Sequence, residues 1–499
     1  MEPRIAAVSS VTEGYTKQKQ CALFETSDLN VPLVADLDGT LVGTDLLIES
    51  ILALLKQQPF YALALPFWLI KGKAGFKQEI ARRISLDPGL LPYRSKFVQY
   101  LQEQRAQGRC LVLATASDQR IAKEVAGHLG IFDAVLASDG NTNLVGERKR
   151  ERLVNQFGTR GFDYAGNDSL DLKVWSSARK ALLVSSKPRL ARAVANLAPI
   201  QDIFEARRPG LSDYFNSLRP QQWLKNLLVF VVLCAAHRFY EPALWGKAII
   251  VFIAFCCCAS SGYLVNELFD LSADRHHPTK RLRPFAAGRI PVSYALTMIP
   301  ILIVLGCLLG LAVSRLVVGI LLLYYVLTLM YSVYLKRVPL LDVVVLAGLY
   351  TLRIVAGAVA VSIPLSGWLL AFSMFLFISL AFVKRYSELM VMRSVEGDHA
   401  KARGYENSDA ELLASKGTAS GYIAVLVLAL YIMSGTAKAL YGRHEVIWFL
   451  CPLLLYWVGY LWLVAHRGTM HDDPFVFALR DRTSRILVLL MIATALLAV

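Results

Sequence analysis

Ser260-Ser261-Gly262-Tyr263-Leu264-Val265-Asn266-Glu267-Leu268-Phe269-Asp270-Leu271-Ser272-Ala273-Asp274 ends a long apolar run and leads into a basic one. With the apolar residues before it, the run is long enough to cross a bilayer as a helix. On that helix Asn266, Asp270 and Asp274 fall at i, i+4 and i+8, which lines one face. Three oxygen-bearing side chains at a membrane end form a platform for Mg²⁺, which takes hard oxygen ligands and keeps positions for phosphate oxygens. Arg275, Lys280, Arg281 and Arg283 follow, placed to neutralise the phosphate charge that the metal leaves exposed. A helix end with ordinary interfacial charges is the plainer reading. It is disfavoured because carboxylates at membrane depth are costly and usually functional.

Outward from this stretch the chain divides in two. Of 499 residues, 55% are hydrophobic and only 18% charged, more apolar surface than a pair of soluble domains needs. The excess lies beyond about residue 226. Residues 1 to about 210 carry charges throughout, and the polar stretch Glu205-Ala206-Arg207-Arg208-Pro209-Gly210 marks the boundary. We therefore expect a domain over 1–208, a linker over 209–217 and a membrane domain over 218–499. The net charge of +15 is better explained by basic loops facing the cytoplasm than by nucleic acid, for which no aromatic–basic surface motif is present. The eight cysteines show no metal-ligand spacing with histidine. The first 30 residues are polar, so no signal peptide is expected.

About nine spans are expected, near 225–237, 244–268, 291–313, 316–334, 339–360, 364–383, 419–438, 446–465 and 477–499, the first being short. With residue 1 in the cytoplasm, the even-numbered loops are cytoplasmic. They carry Arg275, Lys280, Arg281, Arg283 and Arg289, then Lys336 and Arg337, then Lys384, Arg385, Arg393, Lys401, Arg403 and Lys416, then Arg467, Arg480, Arg482 and Arg485. The odd loops hold Arg238, Arg315, Lys438 and Arg443. The positive-inside rule thus predicts a multi-pass protein of the cell (inner or plasma) membrane with a cytoplasmic N-terminus.

A second polar patch lies further on. Tyr331-Ser332-Val333-Tyr334-Leu335-Lys336-Arg337 ends the fourth span, Asp342 opens the fifth, and Arg353 lies about three helical turns later on the same face. A buried arginine in a membrane helix is a site hypothesis by default, with Asp342 or a substrate phosphate as its expected partner and a purely structural ion pair as the alternative.

These patches resemble the UbiA prenyltransferase superfamily, whose first motif reads N-D-x-x-D-x-x-x-D. Here Asn266, Glu267, Asp270 and Asp274 occupy it, with Glu in place of the first Asp. Further segments resemble the decaprenyl-phosphate phosphoribosyltransferases within that superfamily over roughly residues 212–395. They are Leu218-Arg219-Pro220-Gln221-Gln222-Trp223-Leu224-Lys225-Asn226, His277-Pro278-Thr279-Lys280-Arg281-Leu282-Arg283-Pro284, Tyr331-Ser332 with Leu335-Lys336, Asp342 to Arg353-Ile354-Val355-Ala356-Gly357, Pro364-Leu365-Ser366-Gly367-Trp368 and Lys384-Arg385-Tyr386-Ser387-Glu388-Leu389. The resemblance implies nine transmembrane helices around a lipid-open cavity. It also implies transfer of 5-phosphoribose from 5-phosphoribosyl 1-diphosphate to a polyprenyl phosphate, with Mg²⁺ on Asn266, Asp270 and Asp274. Substrate-binding candidates are Arg219, Lys225, Glu267, Arg275, Lys280, Arg281, Arg283, Tyr331, Lys336, Asp342, Arg353, Lys384 and Arg385, unassigned between donor and acceptor. The alternative is a prenyltransferase with a prenyl diphosphate donor and an aromatic or lipid acceptor. A homo-oligomer is left open.

In the N-terminal half, the apolar run Val31-Pro32-Leu33-Val34-Ala35 leads into Asp36-Leu37-Asp38-Gly39-Thr40-Leu41. A buried strand ending in D-x-D-G-T resembles the first motif of haloacid dehalogenase (HAD)-type phosphotransferases. The resemblance implies that Asp36 attacks phosphorus, that Asp38 protonates the leaving oxygen and then activates water, and that Mg²⁺ is held by Asp36 and the Asp38 carbonyl. Later motifs follow in order. Cys110-Leu111-Val112-Leu113-Ala114-Thr115 presents the phosphate-binding Thr115. Gly146-Glu147-Arg148-Lys149 presents Lys149, with Arg148 and Arg150 competing for its role. Tyr164-Ala165-Gly166-Asn167-Asp168-Ser169-Leu170-Asp171 resembles the acidic metal motif, with Asn167 where an acid is usual and Asp168 and Asp171 retained; the metal site loses one charge by this, and a degenerate, regulatory domain is the alternative to an active phosphatase. Expected strands at 31–36, 110–115, 133–137, 162–166 and 181–185 alternate with helices, an α/β doubly wound parallel sheet with a helical cap over about 45–100. The cap stretch from Pro59 to Ile70 is very apolar but too short to span; cap core, membrane surface and a contact with the transferase are its three readings. A transferase product bearing a 5-phosphate would be a substrate for such a phosphatase, and fusion would raise its local concentration.

Overall fold

In a computed structural model, residues 28–205, 209–277, 279–396, 401–402, 404–470 and 473–499 are described. The boundary residues Arg207 and Arg208, Pro278 of the basic loop, Arg403 and the side chain of Lys401 lie outside the described residues. The chain forms two compact units. One comprises residues 1–217 with 267–296, the other residues 218–266 with 297–499.

The first unit is built on a parallel sheet of six strands: β1 (Leu33–Ala35), β2 (Leu111–Asp118), β3 (Ala134–Ser138), β4 (Asp163–Gly166), β5 (Ala181–Leu183) and β6 (Ile200–Ile203). Their spatial order is β3-β2-β1-β4-β5-β6, so β1 lies between β2 and β4. Short apolar runs with no alternation suit strands covered on both faces. Leu33, Val34 and Ala35 are accordingly all fully buried, and separate apolar clusters pack on the two sides of the sheet. The five expected strands are present; β6 is an addition whose mixed sequence, Ile200-Gln201-Asp202-Ile203, gave no strand signal. The cap contains helices Leu46–Gln57, Leu65–Ile70 and Gly72–Ala81. Helix Ser95–Ala106 then leads back to β2.

The second unit is helical. Among the described residues, seven helices are long and apolar enough to cross a membrane: Pro242–Phe269, Val292–Val313, Arg315–Val333, Leu341–Val361, Gly367–Arg393, Asn407–Met433 and Val446–His466. The segments expected as first and ninth spans differ from the rest. The former is a 3₁₀ helix, Pro220–Phe230, running into a five-residue α-turn, Val231–Ala235. The latter is Arg482–Ala498, 17 residues long. At about 2 Å rise per residue for the 3₁₀ part and about 1.5 Å for the α part, Pro220–Ala235 extends about 30 Å, close to the hydrocarbon thickness.

Candidate functional site

The phosphatase-like centre forms at the carboxyl end of β1. Asp36 follows the last strand residue, and its amide donates to the Ala165 carbonyl of the neighbouring strand. The turn beyond it needs Gly39, which sits at φ +74; a Cβ there would come within 2.1 Å of Asn167 Nδ2. That close approach lets Thr40 Oγ1 donate to Asn167 Oδ1 at 3.1 Å. Lys149, buried on helix Glu147–Phe157, donates to Asp36 Oδ1 at 2.7 Å and to the Tyr164 hydroxyl at 3.1 Å. Tyr164 in turn donates to Asp171 Oδ1 at 2.7 Å, while the amides of Asn167 and Asp168 donate to Asp171 Oδ2. Arg150 turns instead to Glu147 and Ser177.

Asp38 is held from both sides. The Leu46 amide, at the start of helix Leu46–Gln57, donates to its Oδ1 at 2.8 Å, and Ser117 Oγ donates to Oδ2 at 2.6 Å. Thr115, fully buried, lies 3.4 Å from the same oxygen. The sequence does not point to Ser117; its position two residues beyond Thr115 on β2, hence on the same face, is the signal that was there to read. Asp168 is exposed and caps the turn Ser169–Asp171 through the Ser169 amide.

Burial drives the Asp36 carboxyl up to about 7, with Asp171 adding to the rise and the Lys149 ammonium opposing it. Burial likewise raises Asp38, against its hydrogen bond from Ser117. A carboxyl raised in the folded state keeps its proton after the unfolded chain, at 3.8, has lost it. Its contribution to stability therefore falls as pH rises from about 4 to about 7. In EDTA, the melting temperature of an Asp36→Asn variant should gain on the unmodified protein across that window. A difference independent of pH would refute it.

The aspartate-rich loop belongs to the same unit from Glu267 onward. The expectation of one continuous helix face is corrected here. Helix Pro242–Phe269 stops before Asp270, whose φ/ψ of −98°/9° interrupts it, and helix Leu271–His276 resumes beyond. Asp274, buried, pairs with Arg283 at 2.5 Å; Asp270 pairs with Lys56 at 3.2 Å. Arg275, a substrate candidate, is engaged by Glu49 through two bonds of 2.8 and 2.6 Å, both side chains being nearly buried. Lys280 is half-buried, Arg281 exposed, and Glu267 buried. Asn266 lies half-buried one residue before the unit boundary.

In the helical unit, Lys225, Lys384 and Arg385 are drawn to acids, and Arg219 and Arg353 to aromatic rings. Lys225 and Lys384, far apart in sequence, donate to the same oxygen of Asp473, Oδ2, at 2.7 and 2.8 Å. Burial would raise the Asp473 carboxyl, but the two ammonium groups hold it far below the usual range. Gly357 admits the 3₁₀ helix: a Cβ would lie 2.1 Å from the Val229 carbonyl oxygen. This close approach brings Asn226 Oδ1 to 2.8 Å from Arg353 Nε. Arg353 also donates to the Tyr324 hydroxyl at 3.0 Å and lies over the Tyr324 ring. Asp342 is not its partner. Eleven residues on a helix share a face but are separated by about 16 Å along the axis. Asp342 instead pairs with Arg385 and accepts from the Tyr405 hydroxyl at 2.7 Å, while Tyr331 and Glu388 complete the shell of Arg385. The Arg219 guanidinium stacks over Tyr263, 5.4 Å from the ring centre, and Lys336 is half-buried.

Among the described residues, no three His, Cys, Asp or Glu side chains cluster tightly enough to form a metal site by themselves. The phosphatase centre nevertheless fits a divalent cation by its donor chemistry. Asp36, Asp38 and Asp171 all act on the single ammonium of Lys149, an excess of negative charge that a cation would balance.

Residues 227–497 match the model of the UbiA prenyltransferase family, more than half of the chain. The chain belongs to the UbiA prenyltransferase family. Residues 33–171 match the haloacid dehalogenase-like hydrolase model. An uncharacterized protein of Sinorhizobium fredii, y4nM, is 36% identical over 92% of this chain and 89% of its own length. A decaprenyl-phosphate phosphoribosyltransferase of Mycolicibacterium smegmatis is 31% identical over 57% of this chain and 91% of its own. A solved UbiA homolog from Archaeoglobus fulgidus bound to GPP and Mg²⁺ is 19% identical, covers 57% of this chain and 99% of its own, and gives a TM-score of 0.43. The protein is thus a multi-pass membrane transferase of the UbiA family carrying a HAD-like hydrolase domain. Asp473 falls within the UbiA match. The sequence alone passes over it, although an aspartate directly before Pro474 is a helix-start signal, and it does cap helix Pro474–Arg480.

Proposed function

We propose that the UbiA-type domain transfers 5-phosphoribose from 5-phosphoribosyl 1-diphosphate to a polyprenyl phosphate, and that the HAD-like domain removes the 5-phosphate of the product. The observation carrying the first half is the likeness to the Mycolicibacterium enzyme across nearly that enzyme's whole length. A lipid phosphate oxygen forms a bond to the anomeric carbon as the carbon–oxygen bond to diphosphate breaks, and diphosphate leaves with the electron pair. The acceptor is already anionic, so positioning and charge screening carry the rate. Lys225 and Lys384, held ready by Asp473, are the cations proposed to receive phosphate, with Arg219, Lys336, Arg353 and Arg385 as further candidates. Mg²⁺ held by Asp270 and Asp274, which in this structure pair with Lys56 and Arg283, would supply charge neutralisation for the departing diphosphate.

In the second step, Asp36 attacks the phosphorus of the 5-phosphate and Asp38, whose carboxyl burial raises above the usual range, gives its proton to the leaving 5-oxygen. Asp38 then takes a proton from the water that hydrolyses the phospho-Asp36, releasing inorganic phosphate. Thr115 and Lys149 hold phosphate oxygens. A Mg²⁺ held by Asp36, the Asp38 carbonyl and Asp171, with Asn167 as an oxygen donor, would screen the approach of two anions.

The proposed topology has both centres on the cytoplasmic side. In that topology the bonds Lys56–Asp270 and Glu49–Arg275 would keep the loop after helix Pro242–Phe269 on the phosphatase's side of the membrane. Residues 218–241 must then cross once before that helix crosses back, a role that Pro220–Ala235 is long enough to fill.

Membranes containing the protein, given labelled 5-phosphoribosyl 1-diphosphate and a polyprenyl phosphate, should transfer label to the lipid fraction. Label that stays in the aqueous phase, with transfer from a labelled prenyl diphosphate instead, would establish the prenyltransferase alternative.

A further inference from the structure

In the cap, residues Pro59–Leu63 form a 3₁₀ turn that runs into helix Leu65–Ile70. The two sides of this segment do different things. Trp68 is turned inward, its ring 5.4 Å from that of Tyr61, and the Arg83 guanidinium lies over it at 4.5 Å while pairing with Glu79. Facing out are Phe60, Leu63, Phe67, Leu69 and Ile70, exposed by 86, 75, 69, 55 and 83%. An apolar hollow of about 600 Å³ lined by Pro59, Phe60, Leu63 and Phe67 lies beside them. Five large apolar side chains so exposed on one short segment mark a surface that is covered in use.

We propose that this segment is a membrane-interface anchor, its apolar side chains seated in the headgroup–acyl boundary of an anionic bilayer. Connectivity places it there. Lys56, one residue before the end of helix Leu46–Gln57, is bonded to Asp270. Asp270 immediately follows Phe269, the last residue of the spanning helix Pro242–Phe269. The apolar segment therefore begins within a few residues of the point where the chain leaves the bilayer. The loop re-enters at helix Val292–Val313, and the Glu49–Arg275 pair moors the cap to it a second time. The charge pattern agrees. From Gln57 to Gln78 there is no acidic residue, while Lys71 and Lys73, both exposed, directly follow the apolar side chains, Lys71 being paired with Glu79 at 2.8 Å. Apolar residues flanked by lysines are the composition of a segment lying in an anionic interface, where the ammonium groups reach back to the headgroups. Such an anchor would hold the phosphatase at the depth where a lipid-linked phosphate monoester presents its headgroup.

The test uses the full chain reconstituted in phosphatidylglycerol–phosphatidylcholine vesicles, with the photo-crosslinking residue p-benzoyl-phenylalanine replacing Phe60, Phe67 or, as a control on an exposed surface of the sheet domain, Glu151. After irradiation, lipid adducts are expected at Phe60 and Phe67 and absent at Glu151. Adducts at Phe60 and Phe67 to another peptide of the chain or to a second copy would overturn the proposal. So would no adduct there, or equal lipid labelling at Glu151.

Discussion

An Asp36→Asn protein should still move label from 5-phosphoribosyl 1-diphosphate into lipid, but the lipid product should keep its 5-phosphate. Asparagine preserves the shape of the carboxyl while removing the oxygen that would attack phosphorus. Loss of a catalytic nucleophile costs a factor on the order of 10⁶ where it has been measured in a hydrolase. The dephosphorylated lipid should therefore vanish from the product mixture, not merely decline. Folding should survive. Asp36 is a carboxylate whose burial already favours its neutral form, so a neutral amide suits the site. Lys149 keeps Tyr164 and the Asp171 carboxylate, 3.9 Å away, as partners. Chromatography of the labelled lipid before and after treatment with an external phosphatase reads the outcome. An unchanged product pattern would dissociate the HAD-like domain from the transferase's product.

Much of this centre is legible in sequence because its parts are local. A fully buried strand directly before Asp36, a required glycine at Gly39 and acids spaced by a single turn at Asp168 and Asp171 all lie within short windows. Even there, sequence leaves Arg148, Lys149 and Arg150 in competition. Packing separates at least two of them: Lys149 faces the sheet, and Arg150 turns back to Glu147 one turn away. The helical unit is less legible for a physical reason. Helical periodicity reports the face on which a residue lies and not its height. It thus placed Asp342 and Arg353 on one face, where they are too far apart to meet. It also carried a regular helix through Asp270, where the chain breaks and turns Asp270 toward Lys56 and Asp274 toward Arg283. The acid shared by the buried cations Lys225 and Lys384 comes from an element far away in sequence. Asp473 is 248 residues from Lys225, a separation that no local pattern can bridge.

Asp473→Asn should weaken the protein strongly and make it depend on phosphate ligands. Two ammonium groups share one carboxylate oxygen, and the side chains of Lys225 and Asp473 are 6 and 8% exposed. Removing that charge leaves two like charges a few ångströms apart in a low-dielectric surrounding. Breaking a buried ion pair by removing one partner typically costs about 3–5 kcal/mol, so a marked fall in melting temperature is expected. If Lys225 and Lys384 receive substrate phosphate, the same vacancy defines a binding site for an anion. Inorganic diphosphate should then raise the melting temperature of Asp473→Asn more than that of the unmodified protein, because in the latter the anion must compete with the resident carboxylate. Ligand-linked stabilisation follows RT ln(1 + [L]/Kd), so comparing the two titrations separates affinity from overall stability. A variant destabilised but no more responsive to diphosphate than its parent would show that the carboxylate–lysine cluster holds the helices together without taking part in phosphate binding. The donor and acceptor phosphates would then have to be sought at Arg219, Lys336 or the Arg385–Asp342–Tyr331 cluster.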